Sequence, residues 1–337
     1  MSLCMTKRIL GAVAALVLVV ACENAGAYRT TGITATGVVR GLVFFDANGS
    51  GNFDAADSPA VGVRVRLITP FSRDTVRRVV TGADGAFRID GVPVGSYGVV
   101  VDPTSVGDSV TVRRVTSGSV TLRPNDSVSV EAVVGFTTLT TAQVRTLAVL
   151  NGKAAVGSRV FVTGVALHAS STFSDTLLHV VDTSGALRVT RVRPSAAVAG
   201  DSVRLRGRIA VRDGQRVLDD VTVYIVGGTF IPTAPIVTSL QASNANAGAL
   251  DASLVRLLDA TVLDTATVRG SLNVLVNDGT GPLTVVLDRV ADAGFRVPFV
   301  AAPLAIGSRY DLAGVLVPNG SGRWALRPRA LLDITRR

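Results

Sequence analysis

Asp46, Asn48, Ser50, Asn52, Asp54 and Asp57 hold positions 1, 3, 5, 7, 9 and 12 of a twelve-residue run, with Gly51 at position 6. A hard cation that takes about six to eight oxygens at roughly 2.3–2.6 Å can be wrapped by one tight chain reversal offering oxygens at alternate positions, so this spacing predicts calcium. Gly51 permits the reversal, Asn52 offers its backbone carbonyl, and Asp57 closes the sphere where Glu is usual. The shorter Asp57 side chain makes two-oxygen coordination harder and weakens selectivity over magnesium. The competing reading is a solvated Asp/Asn/Gly turn between strands.

Other chemistry is scarce. The chain has two histidines, His168 and His179, two glutamates, Glu23 and Glu131, and two cysteines, Cys4 and Cys22. No HExxH, GxSxG or phosphate-loop pattern occurs, and a tuned base is hard to find. His168 and His179 flank residues 170–175 and could face each other across a hairpin, half a metal site with Asp175 or Asp182; the preferred reading is a pair of strand-edge histidines. Asp219 and Asp220 read as turn residues, not acid/base partners. The expectation is therefore a protein that is not an enzyme.

The elements around the loop are strands. Val38 to Phe45 before it and Val61 to Leu67 after it alternate with period two, as do Val76 to Val80, Ala86 to Ile89, Tyr97 to Val101, Val110 to Val115, Ser119 to Leu122 and Ser127 to Gly135. The succession GLVFFDANGSGNFDAAD, GVRVRL and TGADGAFRIDGVPVGSYGVVV resembles the B-type repeat of serine-aspartate repeat surface proteins, which is grouped with Cna-B and carboxypeptidase-regulatory-like modules. Over residues 37–135 the resemblance implies a seven-stranded, prealbumin-like β-sandwich stabilised by calcium, with the six loop residues as ligands and Tyr97 in the core or at a corner. It implies no catalytic residue. Some Cna-B relatives carry a Lys–Asn isopeptide bond, but residues 37–135 contain no lysine, which excludes that chemistry.

The N-terminus reads as a targeting segment. Lys7 and Arg8 precede thirteen apolar or small residues, Ile9 to Ala21, too few for a spanning helix of about twenty. Val19-Val20-Ala21-Cys22 resembles a bacterial lipobox, which makes Cys22 the lipidated first residue of the exported chain; cleavage after Ala25-Gly26-Ala27 is the alternative. Glu23 in place of Asp argues, by resemblance to enteric lipoproteins, against inner-membrane retention and for the outer membrane or cell surface. Residues 22–36 serve as a tether. With Cys22 lipidated no structural disulfide remains, so core burial and metal must hold the exported chain. The net charge of +9 is almost all arginine, spread along strands as in Arg204, Arg206 and Arg208, a pattern that predicts a solvent-facing stripe.

Beyond residue 136 the pattern changes. A short helix near Leu139 to Leu147, capped by Thr140 or Thr141, precedes strands at Arg159 to Leu167, Leu177 to Asp182, Ala186 to Val192, Ser202 to Val211 and Asp220 to Val226. This order resembles OB-fold-like modules of secreted bacterial proteins. After Pro232 to Pro235 a second copy begins: residues 181–187 are echoed by 277–283, and 199–207 by 306–314. The fold expected is all-β: a Cna-B-like sandwich over 37–135, then two small OB-like barrels over 136–231 and 236–337. The function expected is a lipid-anchored, calcium-stabilised envelope protein whose ligand is a cell-surface polysaccharide or protein. Alternatives are a polyanion or single-stranded nucleic-acid binder, and an accessory subunit of an extracellular nuclease or phosphatase. Aromatics make up 5% of the chain, too few for a rich stacking surface.

Overall fold

The computed structural model describes residues 35–107, 110–146, 155–173, 176–228, 230–268, 271–287, 304–320 and 322–337. The leader, Cys22 and the tether through residue 34 lie outside them. The chain is all-β, with 57% of its residues in strands and 6% in helices.

The valine-rich alternation of the first part builds two facing sheets from β1 (Thr36–Asp46), β2 (Ser58–Pro59), β3 (Arg64–Ile68), β4 (Thr75–Val80), β5 (Ala86–Pro93), β6 (Gly95–Val101), β7 (Val110–Val115), β8 (Ser119–Leu122) and β9 (Ser127–Phe136). One sheet runs β7-β9-β1, with β5 along the first part of β1 and β2 at its end; the other runs β4-β3-β6-β8. Alternate residues Val39 and Val43, Val65 and Leu67, Val130, Ala132 and Val134 meet between the sheets as the core. The strand count differs from the expected seven: two-residue β2 joins eight longer strands. Tyr97 packs in this core, and its hydroxyl donates to the Pro93 carbonyl at 2.8 Å. Central β1 pairs with β9 in parallel as far as Asp46↔Gly135, so the candidate loop leaves from the end of a fully supported strand.

Next, two-residue β10 (Thr138–Leu139) and α1 (Thr141–Thr146) lead into β11 (Arg159–Ala166), β12 (Leu177–Asp182), β13 (Gly185–Val192), β14 (Asp201–Arg212) and β15 (Gln215–Gly228). Then α2 (Ser239–Ser243) leads into β16 (Leu254–Val268), β17 (Ser271–Asn277), β18 (Pro282–Leu287), β19 (Arg309–Pro318) and β20 (Trp324–Arg327), followed by β21 (Ile334–Arg336). In each set the first strand pairs with the second, the second with the third and the third in parallel with the fifth. The fifth pairs with the fourth, and the fourth closes back on the first. That closed five-strand order is the OB-type barrel.

Both lead-in helices are tied to their barrels by the same device. Thr140 and Gln143, and again Thr238 and Gln241, form reciprocal caps. The next residue, Thr141 or Ser239, buries its hydroxyl 2.7 or 2.6 Å from the carboxylate of Asp182 or Asp278, in the turn between the second and third strands. Burial acts to raise these two carboxyls, but hydrogen bonds from the serine and threonine hydroxyls and backbone N–H groups outweigh it and lower them. The echo read from residues 181–187 and 277–283 is thus a shared hydrogen-bonded lock. Asp219 and Asp220 depart from expectation. They lie within β15, while the turn before it is made by Asp213 and Gly214 at φ +50° and +76°. Asp219 is held there by Arg191, Arg212 and Thr190.

Candidate functional site

The loop folds around its own polar side chains. Asp46 is fully buried; its Oδ1 accepts from the Gly49 N–H at 2.5 Å, and its Oδ2 accepts from Gly51 N–H at 3.0 Å and from Arg113 at 3.1 Å. Asn48 Nδ2 donates to Asp54 Oδ2 at 2.9 Å, and the Ser50 hydroxyl lies 3.1 Å from that same oxygen and 3.0 Å from the Asn52 carbonyl. Asp57 closes the reversal from the other side, accepting from Ala47 N–H with Oδ1 and from Asp54 N–H with Oδ2, each at 3.0 Å. Gly51 at φ +79° supplies the left-handed conformation that position 6 requires.

All donors offered to a cation here are oxygens, as calcium demands. The Ser50 hydroxyl, the Asn52 carbonyl and an Asp54 oxygen meet at one centre through hydrogen bonds that a cation would replace, which fits the group, whereas Asn48 turns its amide nitrogen to that centre and its oxygen to the Ser50 N–H. Two features run against tight binding. The Arg113 guanidinium neutralises Asp46, and among the described residues no three His, Cys, Asp or Glu side chains gather in a metal-holding group. The carboxyls are also unequal. The Asn48 amide, then the Ala56 N–H, hold Asp54 below its ordinary value. Burial raises Asp57 despite its two N–H donors, with the charges of Asp54 and Asp46 adding to the effect.

The outward carbonyls of the loop meet arginines. Ala47 O accepts from Arg206 at 2.9 Å, Gly49 O from Arg204 at 2.5 Å and Gly51 O from Arg114 at 2.7 Å. Arg114 belongs to β7, but Arg204 and Arg206 come from β14 of the first barrel. The expected solvent stripe of Arg204, Arg206 and Arg208 is therefore corrected: the first two are half-buried in a joint, and Arg208 alone is exposed. Phe161, the register partner of Arg206, is fully buried, 5.9 Å from Phe136 of the sandwich, with Arg113 5.4 Å above its ring. Period-two spacing places three arginines on one face of a strand; it carries no signal of what that face meets.

The opposite side of the first barrel is also covered. Leu178 and Val180 of β12 point into the barrel, so Leu177, His179 and Val181 point outward. There Leu177 and Val181 join Leu167 and Phe173 in an apolar cluster with Leu254, Val315 and Val317 from the second barrel. The second-strand side of the face that OB folds commonly use for oligonucleotides and oligosaccharides is in this barrel a packing surface. The corresponding face of the second barrel presents Asn273, Leu275, Thr284 and Val286, half-exposed and uncharged.

His168 and His179 do face each other, as the hairpin reading allowed, but both are buried. Asp182 is engaged by Thr141, and Asp175 lies outside the described residues.

No protein-family model matches the chain, and no curated protein matches it. Solved structures that resemble it include the minor pilin GBS52 of Streptococcus agalactiae, at 16% identity over 30% of this chain and 45% of that chain, with a TM-score of 0.23. The shaft pilin SpaA of Lactobacillus rhamnosus GG matches at 10% identity over 58% of this chain and 100% of its own, with a TM-score of 0.24. The tetrameric p202 HIN2 structure matches at 15% identity over 55% of this chain and 98% of its own, with a TM-score of 0.26. The chain thus spans less than half the length of the minor pilin. The neighbours include pilin β-sandwich domains at low identity, and TM-scores of 0.23 to 0.26 carry no argument about function.

Proposed function

We propose that this chain is a non-enzymatic structural protein of the bacterial envelope. In this reading it is exported, anchored through Cys22, and holds two OB-type barrels outward on a calcium-stabilised sandwich. The observation that carries the proposal is the position of the loop. The oxygens of Ser50, Asn52 and Asp54 form a small inward cluster of the kind a cation takes, while three outward carbonyls are caught by arginines of β7 and of the first barrel. Asn48, Ser50, the Asn52 carbonyl, Asp54, Asp57 and Asp46 would hold the ion. What the ion would supply is positive charge beside the Asp54 carboxylate, and stability by mass action because the unfolded chain has no such site.

The test is calorimetric titration of calcium into metal-stripped protein lacking residues 1–22. Binding near one ion per chain, with a rise in melting temperature, is expected. Asp54→Ala should abolish the heat and leave the metal-free fold intact, because Asp54 is exposed. Asp46→Ala is the less clean probe, since Asp46 also holds Gly49, Gly51 and Arg113. Absence of heat and of any thermal shift in the unaltered chain would sink the calcium reading. Cys22→Ser should move the protein from the membrane to the soluble fraction.

A polyanion-binding role is the second reading, supported by the barrel topology and the arginine excess. It has to use a surface other than the covered side of β12, and salt-sensitive retention on single-stranded DNA is its test.

A further inference from the structure

His168 opens the loop after β11, and His179 stands in the middle of β12, the two 1% and 0% exposed. His168 Nδ1 lies 2.8 Å from the Ala169 carbonyl, which can only accept, so that nitrogen carries a proton. Nε2 of His168 lies 2.8 Å from Nδ1 of His179. With both rings neutral, His179 donates from Nδ1 and is left with a bare Nε2. Among the described residues that buried nitrogen meets no hydrogen-bond partner. An added proton has two places to go. On His168 Nε2 it breaks the bond between the rings; on His179 Nε2 it creates a buried cationic N–H with no acceptor.

The surroundings make that proton harder to accept. Phe173 sets its ring edge-on to both imidazoles, at 4.6 and 6.0 Å, and Arg327 of the second barrel lies 4.5 Å above Phe173. Arg188 stands opposite His179 on β13, and Arg329 of the second barrel donates to the Leu167 carbonyl at 3.0 Å. The nearby carboxylates are already committed, Asp213 to Arg188 and Asp333 to Arg329. Among the described residues, the charges facing the pair from β13 and from the second barrel are therefore positive and none is a free counter-ion. A cleft of about 420 Å³ between the barrels has His168 in its wall together with Thr172, Ile231, Arg329 and Leu332.

We propose that the His168–His179 pair is an acid-sensitive latch on the joint between the two barrels. The neutral pair supports the contact of Leu167 and Phe173 with Leu254 and Val315, and protonation opens it. This inference is independent of the calcium loop. Burial, outweighing the Ala169 hydrogen bond and aided by Arg329 and Arg327, holds His168 down at about 4. Burial, then His168, Arg327 and Arg188, lower His179 well below its ordinary range. An imidazole released to water titrates near 6.5. Since the closed-state value lies below the open-state value, the stabilisation is complete above about pH 6.5 and is lost as the pH falls from there toward 4.

Amide hydrogen exchange on the whole chain, corrected for intrinsic rates, tests this. Between pH 7.5 and 5, protection at residues 166–172 and 315–317 is expected to fall on the order of tenfold or more, while β1 and β9 hold theirs. In the double variant His168→Phe, His179→Leu, the joint should become pH-independent over that window. No loss at the joint, equal loss in all three modules, or a pH dependence that survives in the variant overturns the latch. If the variant does not fold, the comparison of joint with sandwich in the unaltered chain decides.

Discussion

Asp219 shows at the scale of a single residue how burial and charge are balanced. Its carboxylate is 3% exposed, and Arg191, Arg212 and the Thr190 hydroxyl all donate to it. Burial raises the carboxyl, but the hydrogen bonds from Arg191, Arg212 and Thr190 outweigh it and hold it well below the usual carboxylate range. With the folded value depressed, the stability Asp219 contributes is present above about pH 3.9 and is lost as the pH falls through the folded value. Asp219→Asn should cost about 2–3 kcal/mol at pH 7, and its urea midpoint should converge on that of the unaltered chain in strong acid. The pair Asp219-Asp220 looked like a turn because adjacent aspartates usually avoid strands. Two of the donors that hold Asp219 in β15, Thr190 and Arg191, come from β13, 29 and 28 residues away, beyond any local reading; Arg212 reaches it across the β14–β15 hairpin.

At the scale of the element, two glycines carry the echo between the barrels. Gly207 in β14 and Gly314 in β19 occupy corresponding positions of the fourth strand, where the barrel wall folds close. A Cβ at Gly207 would stand 2.6 Å from Val221 Cγ2 and 2.7 Å from Leu218 Cγ, whereas one at Gly314 would stand 2.7 Å from the backbone carbonyl of Arg327. Side chains can shift and backbone cannot without moving a strand. Gly207→Ala should therefore destabilise by about 1–3 kcal/mol and Gly314→Ala by more, read as the difference in urea unfolding of the two variants. Strand positions, the capped lead-in helix and the repeat were legible because period-two patterning, capping chemistry and turn residues are local. That Thr140 is the cap and Thr141 the buried lock was not, because the lock's partner is a turn about forty residues away.

For the whole molecule, the first barrel is the middle of a stack. Its β11–β14 face carries Phe161, Arg204 and Arg206 against the sandwich, and the outward side of β12 carries Leu177, His179 and Val181 toward the second barrel. The first joint is polar and centred on backbone carbonyls; the second is apolar with buried histidines. Arg204→Ala with Arg206→Ala should loosen the first joint alone. Small-angle scattering is expected to show a larger radius of gyration for the double variant, while the melting of each module stays close to that of the unaltered chain. An unchanged radius would mean that Phe136, Phe161 and Arg113 suffice to hold the sandwich on the barrel.

The sequence by itself determined the all-β class, the sandwich-then-barrels order, the oxygen-rich loop and the second copy. Each of these is written in neighbouring residues, as alternation, as donor spacing or as a repeated turn. Tertiary structure alone decided what the outward faces meet. Alternation says that Arg204 and His179 point away from a core, not whether water or another module lies there. Here both point into joints, because a closed barrel has two sides and in this chain a neighbouring module covers each.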